Sequence, residues 1–484
     1  MEKNEEYELT IEDLGNDGEG IGHIDGMAVF VKDAVPQDVI RVRIVKVKKQ
    51  YAYGRVMEIL TPSPDRVEPR CSKARQCGGC TLQHLSYEAQ LAYKWNKVKN
   101  CLERIGGIDN AGEIMEPIVG MFSEEEAKKP VVSSSGMITP NICHHGHWNY
   151  RNKAQFLVGL DEQGHVVTGF YAGRSHNIVP TTFCDIQAEV NADILGKVTG
   201  FLEKYGISVY DEVKHKGLVR HVLTRVGFQT GEIMVCLIIN GEILPHAEAF
   251  VEKLVQIPGM TSICLNVNQD KTNRILGDRC ITLWGQDYIT DYIGNVKYQI
   301  SPISFFQVNP VQTKALYEKA LEYAGLQGDE TVWDLYCGIG TISLFLAQKA
   351  KTVYGVEIVP QAIEDAKRNA RLNGFTNAEF FVGKAEEVLP KWYAEHKGAS
   401  DAMLHPDVIV VDPPRKCCEE SLLTTIIQMA PKRMVYVSCD PATLARDLKY
   451  MVANGYRVEK VTPVDQFSHS GHVECVVLMS WEER

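Results

Sequence analysis

From about residue 307 onward, short apolar runs recur with a regularity that few folds can satisfy. "TVWDLYCGIG", "TVYGVEI", "AEFFVG", "DVIVVDPP", "RMVYVSC", "YRVEKVTPV" and "HVECVVLMS" each read as a strand. Helical segments separate the first six, and the last two follow one another directly. Strands alternating with helices bury their apolar faces as a mostly parallel sheet covered on both sides. The expectation for this region is therefore a doubly wound α/β sheet that ends in an antiparallel pair.

At 484 residues the chain exceeds one ordinary core, so further domains are expected before that sheet. Residues 1–62 read as a small β-barrel, with Asp17-Gly18 and Asp25-Gly26 as hairpin turns. Between Val39 and Met57 there are six Lys or Arg, two Tyr and no acid, so cations for phosphates stand beside rings for bases. A solvated outer barrel face would read the same way. A Pro-rich linker, "TPSPDRVEP", follows at 61–69. Residues 63–300 read as a cysteine-bearing segment, a helix over "SYEAQLAYKWNKVKNCLERIGG", a patternless stretch at 109–140 and a central α+β domain of unfixed topology. Residues 301–484 hold the doubly wound sheet.

No apolar run approaches the roughly 18 residues of a membrane span, and "MEKNEEYELT" lacks a signal-peptide apolar region, so a cytoplasmic protein is expected. In a reducing compartment the 14 cysteines point to metal or catalysis where they cluster, and to buried small hydrophobes at Cys236, Cys264 and Cys475. The net charge of −11 excludes a uniformly basic nucleic-acid binder but not a local basic stripe.

"DLYCGIGTISL" runs a strand into Gly338-x-Gly340 and a helix, where glycines let a ligand approach the backbone. Glu357 ends the next strand, 17 residues beyond Gly340, where an acid can hold both hydroxyls of a ribose. Ser343 stands where a third glycine would complete the dinucleotide fingerprint. That favours S-adenosylmethionine, an adenosyl ligand without phosphates, over NAD.

Asp412 in "VIVVDPPR" ends the fourth strand and should face the ligand, as groups at carboxyl ends of parallel strands do. Arg415 occupies the place where amino-group methyltransferases carry a stacking aromatic, which weakens a base N-methylation reading. In "YVSCDPATLARD", Cys439 ends the fifth strand beside a helix start, where its thiolate should be favoured, so it reads as a nucleophile. Glu474 in "HVECVVLM" is a carboxylate opening an apolar strand and reads as the general base.

In their order and spacing, "SPISFFQVN", "DLYCGIG", "DPPR", "SCDPATLARD" and "HVE" resemble the RNA uridine-C5 methyltransferases, which make 5-methyluridine. The resemblance implies a Rossmann-like methyltransferase domain preceded by an RNA-binding TRAM barrel. It implies that Gln307, Tyr336, Glu357 and Asp412 line the S-adenosylmethionine pocket, with Cys439 as nucleophile and Glu474 as base. Thr341, where the ribosomal branch often has an amide, is left out of those contacts. The expected partner is RNA, specifically 23S ribosomal RNA, because the bacterial tRNA enzyme of the family lacks both barrel and cysteine cluster. A tRNA uracil-C5 methyltransferase and a non-catalytic iron–sulfur RNA-binding protein are the alternatives. A monomer is the default expectation.

Cys71-x5-Cys77-x2-Cys80 supplies three metal ligands. His84 could complete a zinc site, but the spacing is not that of paired C-x2-C knuckles. A distant thiol, from Cys101, Cys143 or Cys184, fits an iron–sulfur cluster. The resemblance implies Cys184 and a [4Fe–4S] cluster that shapes an RNA-binding surface, with Lys73 and Arg75 available to phosphates.

Overall fold

The computed structural model describes residues 1–121, 146–173, 175–396 and 405–482, with the backbone of the short strands Val131–Val132 and Ile138–Thr139. Cys143, the Glu124–Glu126 run and the "SSSG" stretch lie outside the described residues.

Six strands between Glu6 and Thr61 form one curled sheet around Leu9, Ile11, Val29, Val31, Ile40, Val42, Ile44 and Ala52. Asp25 and Gly26 both take positive φ and join strands Gly20–Ile24 and Met27–Lys32, as a hairpin with the right-handed twist of its strands requires. The segment after this sheet is not a loose linker. Arg66 is nearly buried against Asp38, to which its Nε donates at 3.0 Å. The expected helix spans Tyr87–Arg104, with the Ser86 side chain capping Ala89 N.

The central region is a seven-stranded sheet whose strands Lys153–Leu160, Val219–Val226, Ile233–Ile239 and Met260–Val267 lie adjacent. Helices Asn191–Lys204 and Ala247–Leu254 cover one face. Cys236 and Cys264 are core residues here, and Cys475 is one in the last sheet. A hairpin, Ile289–Ile293 and Val296–Ile300, precedes residue 301 in sequence yet shares its core with Leu316, Phe345 and Ile363 beyond it.

The last sheet has seven strands in the spatial order Ala378–Val382, Thr352–Glu357, Thr331–Leu335, Val408–Val411, Arg433–Ser438, Glu474–Trp481 and Tyr456–Val464. The first five run parallel, and Glu474–Trp481 runs against both its neighbours. No described helix is long and apolar enough to cross a membrane.

Candidate active site

At the end of strand Thr331–Leu335 the backbone turns sharply through Tyr336, which has φ 69°. The amides of Tyr336 and Cys337 both donate to Val356 O, at 2.9 and 3.0 Å, tying this turn to the next strand. Glu357 ends that strand and accepts from Gly338 N at 3.1 Å and Val359 N at 3.0 Å, so its carboxylate is held against the glycine loop. Gly338 has φ +56°, and a Cβ built on it would meet nothing within 4 Å. The space beside it is open to a ligand, while the backbone conformation is what demands glycine.

Of the four residues expected around an adenosyl ligand, Glu357 is thus joined to the loop. Tyr336 turns its hydroxyl away to Glu386, so its contribution to the loop is its backbone. Gln307 is buried, and its side-chain amide bonds to no described residue. Thr341 accepts a hydrogen bond from the Tyr317 hydroxyl at 3.0 Å.

Asp412, Cys439 and Glu474 come from three adjacent strands and meet at one edge. Asp412 and Cys439 follow the carboxyl ends of parallel strands. The antiparallel neighbour starts at that same edge, and the pairing of Ser438 with Cys475 sets Cys439 beside Glu474. A third parallel strand would have put its first residue at the far end of the sheet.

None of the three side chains is hydrogen-bonded among the described residues. Burial pushes the Asp412 carboxyl up to about 7. Burial, then the charge of Asp412, pushes Glu474 up to about 8, against the pull of Arg415. The Cys439 thiol is pushed up to about 12 by burial first and by Glu474 and Asp412 next. The N–H donors at the neighbouring helix start point elsewhere. The free N–H groups of helix Pro441–Ala453 are taken by the Asp440 side chain, which accepts from Ala442 N at 2.9 Å and Thr443 N at 3.1 Å. Asp334, buried and hydrogen-bonded by Ser343, is also raised to about 7.

Cys439 and Arg415 open into a cleft of about 1100 Å³ that reaches the N-terminal sheet. Its far wall carries Lys32, Lys46, Lys48, Phe30, Tyr51 and Tyr53, the three rings lying with centroids 5.5–6.1 Å apart. The basic strand pair is thus divided by function. Arg41 and Arg43 are neutralised by Glu58 and Glu6, at 3.0 and 2.6 Å, while Lys46 and Lys48 face the cleft.

The loop leading into Glu474 is gripped by one face of helix Tyr87–Arg104, which sequence reasoning missed. Tyr87 donates to Asp465 at 2.8 Å, Gln90 accepts from His469 N at 2.9 Å, and Lys97 donates to Gly471 O at 2.8 Å. Lys94 forms a fully buried ion pair with Asp465 and also donates to Phe467 O at 2.9 Å. Removing one partner of such a pair costs about 3–5 kcal/mol. The signal was present, since these four polar residues fall at helical spacing on a single stripe.

Cys71, Cys77, Cys80 and Cys184 line one cavity of about 220 Å³ with Lys73, Gln83 and Arg151. His84 does not line it, and Cys101 faces the catalytic cleft instead. Among the described residues no group of three or more His, Cys, Asp or Glu is drawn closely enough to hold a metal ion.

The family described as tRNA (Uracil-5-)-methyltransferase matches residues 208–482, more than half of the chain, and the TRAM domain matches residues 2–57. The chain belongs to the uracil-C5 RNA methyltransferase family. Its similarity to other members is full-length. It is 51% identical to an uncharacterized RNA methyltransferase of Halalkalibacterium halodurans, over 99% of this chain and 98% of that one. To one of Clostridium acetobutylicum it is 48% identical, with the same coverage. Among solved structures, the tRNA (uracil-54, C5)-methyltransferase of Pyrococcus abyssi in complex with S-adenosyl-L-homocysteine superposes with a TM-score of 0.73. That likeness has 28% identity and covers 98% of this chain and 99% of the other. For an RNA methyltransferase of this family, the cleft joining the TRAM domain to Cys439 is the candidate RNA interface.

Proposed function

We propose that this methyltransferase transfers a methyl group from S-adenosylmethionine to C5 of a uridine in 23S ribosomal RNA, through a covalent adduct of Cys439. The register at the reacting edge carries this reading: it sets Cys439 beside Glu474, both without hydrogen-bond partners among the described residues and both facing Asp412 electrostatically. The cosubstrate reading is supported by the S-adenosyl-L-homocysteine bound in the Pyrococcus abyssi neighbour and by the carboxyls at the edge. Asp334, Glu357, Asp412 and Glu474 cluster near this edge, where a sulfonium cation would favour their ionised forms and a pyrophosphate would oppose them.

Uracil C5 is a poor nucleophile until a thiolate adds at C6. The enolate formed by Cys439 attacks the sulfonium methyl through C5, releasing S-adenosylhomocysteine. Glu474 then takes the C5 proton, and the electron pair left behind expels Cys439. The target base must leave its stack to reach the thiol, and the cleft provides room for it. The catalytic groups all come from one chain, so we propose that a monomer acts.

Proton transfer makes the rate pH-dependent. Glu474 must be ionised to accept the C5 proton, and its carboxyl stands at about 8. Below that pH it is mostly protonated, and the Cys439 thiol stays protonated further up. The apparent values belong to the coupled group. Single-turnover release of 5-methyluridine RNA from the protein is expected to rise from about pH 6 to about pH 9; a flat or falling profile over that range would contradict these roles.

A second reading, tRNA as substrate, is favoured by the full-length likeness to the archaeal tRNA enzyme. Unmodified 23S ribosomal RNA and tRNA transcripts, each offered with labelled S-adenosylmethionine, decide between the two. The expected outcome is label as 5-methyluridine in the ribosomal transcript, and label in tRNA alone would overturn the ribosomal assignment.

We further propose that Cys71, Cys77, Cys80 and Cys184 hold a [4Fe–4S] cluster. Four thiols spaced around a 220 Å³ cavity fit a group with a volume of its own. A single zinc ion would draw its thiolates in to about 2.3 Å. The cluster would supply a structural tie, since methyl transfer needs no electron. Protein purified without oxygen should be brown, with iron and sulfide in equal amounts, and Cys184→Ser should lose both. Stoichiometric zinc in a colourless preparation would refute the cluster.

A further inference from the structure

The central sheet carries another cleft, of about 590 Å³, that shares no lining residue with the one at Cys439. An irregularity in strand Val219–Val226 falls in its wall. Val219 pairs with Ile239 and His221 with Ile238, leaving Arg220 as the extra residue of a bulge. Consecutive residues of a regular strand face opposite sides, whereas here Arg220 and His221 both line the cleft.

Arg220 is 7% exposed, and its Nη1 donates to Asn268 O at 2.8 Å and Asp270 O at 2.9 Å. Its guanidinium lies 4.4 Å from the centre of the Tyr210 ring. The Arg220 Nε and the His221 Nδ1 are buried and have no hydrogen-bond partner among the described residues. Buried polar groups are ordinarily paired, so these two leave the cleft lining short of hydrogen bonds that a ligand drawing them outward would supply. On the other side Tyr171 and His176 hold the exposed Glu212 carboxylate, at 3.0 and 2.7 Å. Lys271, at the rim, is exposed and makes no ion pair among the described residues.

We infer that this cleft binds one unstacked nucleotide of the RNA substrate, outside the target uridine, and prefers a base with an amino group on its pairing edge. The inference rests on RNA being the substrate. Tyr171 and the Tyr210 ring, one face of which Arg220 backs, offer surfaces for stacking, and the exposed Lys271 offers a cation to a phosphate. The Glu212 carboxylate accepts best from an exocyclic amino group, which guanine, adenine and cytosine carry, while uracil offers only one N3–H flanked by two carbonyls that meet it unfavourably. The two clefts are close along the surface. Tyr171 lines this one, Gly173 lines the catalytic one, and Tyr171 O accepts from Gly78 N of the cysteine loop at 3.2 Å. A strand leaving the Cys439 cleft over that loop arrives at Tyr171.

Two variants and two measurements test this. Tyr210→Ala should raise KM for the RNA on the order of tenfold, while kcat stays within about twofold, because the ring acts in binding alone. Glu212→Gln keeps the side-chain shape and protects against a folding failure of the first variant. Wild-type protein titrated with GMP and with UMP should bind GMP more tightly, and Glu212→Gln should bind the two alike. A folded Tyr210→Ala with unchanged KM, or wild-type protein that does not distinguish GMP from UMP, overturns the inference. Wild-type protein that binds GMP selectively but methylates no RNA would instead overturn the proposed function and leave a nucleotide site standing.

Discussion

Cys439→Ala is expected to abolish methyl transfer, lowering the single-turnover rate by a factor on the order of 10⁶, as loss of a covalent nucleophile does elsewhere. The reason lies in the substrate, since without a thiolate at C6 the uracil C5 is too weak a nucleophile to take the sulfonium methyl. The loss should be confined to chemistry. Cys439 is hydrogen-bonded to no described residue, and alanine leaves the Asp440 cap and its helix untouched, so folding and cosubstrate binding should persist. RNA containing 5-fluorouridine gives a second readout, because fluorine at C5 cannot leave as a proton. Wild-type protein should form an adduct that survives denaturation, and Cys439→Ala should form none. Measurable turnover by the alanine variant would assign the nucleophile elsewhere.

Glu474→Gln should fail at a later step. The amide keeps the shape of the carboxyl but cannot accept the C5 proton, so addition and methyl transfer go forward and resolution stalls. Turnover is expected to fall by about 10²–10⁴-fold, the range for a lost general base. Protein and unmodified RNA should accumulate as a covalent complex that carries one labelled methyl group. This distinguishes the two residues qualitatively: the cysteine variant traps nothing, and the glutamine variant traps the normal substrate. The change also removes a neighbouring acid that pushes the Cys439 thiol up, which should speed adduct formation. If Glu474→Gln releases 5-methyluridine at the wild-type rate, another group takes the proton.

The catalytic sheet was legible because parallel strands buried on both faces are written as apolar runs, each ending at the edge where function sits. Asp412, Cys439 and Glu474 could be read at those ends, and the strand pairing brings them together as their positions suggested. The state of the thiol could not be read. Whether Cys439 gains from its helix depends on which group takes the N–H donors, and only the fold shows that Asp440 does. Lys94 and Gln90 were opaque for a related reason. Polar residues on a helix are read as a solvated face, and their partners, Asp465 and His469, stand more than 370 residues away. The segment holding Arg66 looked like a linker because its prolines are visible and its buried bond to Asp38 is not. The bulge at Arg220 leaves no mark in composition at all.

Helix Tyr87–Arg104 has a consequence for the order in which the protein comes to life. A chain made from its N-terminus completes this helix early, and its Lys94 then waits for Asp465. Cys439 emerges 35 residues before Glu474, so on the proposed roles a nascent chain holds its nucleophile before the base that would release it. Contacts closed over such separations form late in folding. The clasp on the 465–473 loop joins residues made first to residues made last. With Glu474 as the proposed base, a chain still growing lacks the group that completes the methylation, and the loop that carries it is gripped only when both ends have been made.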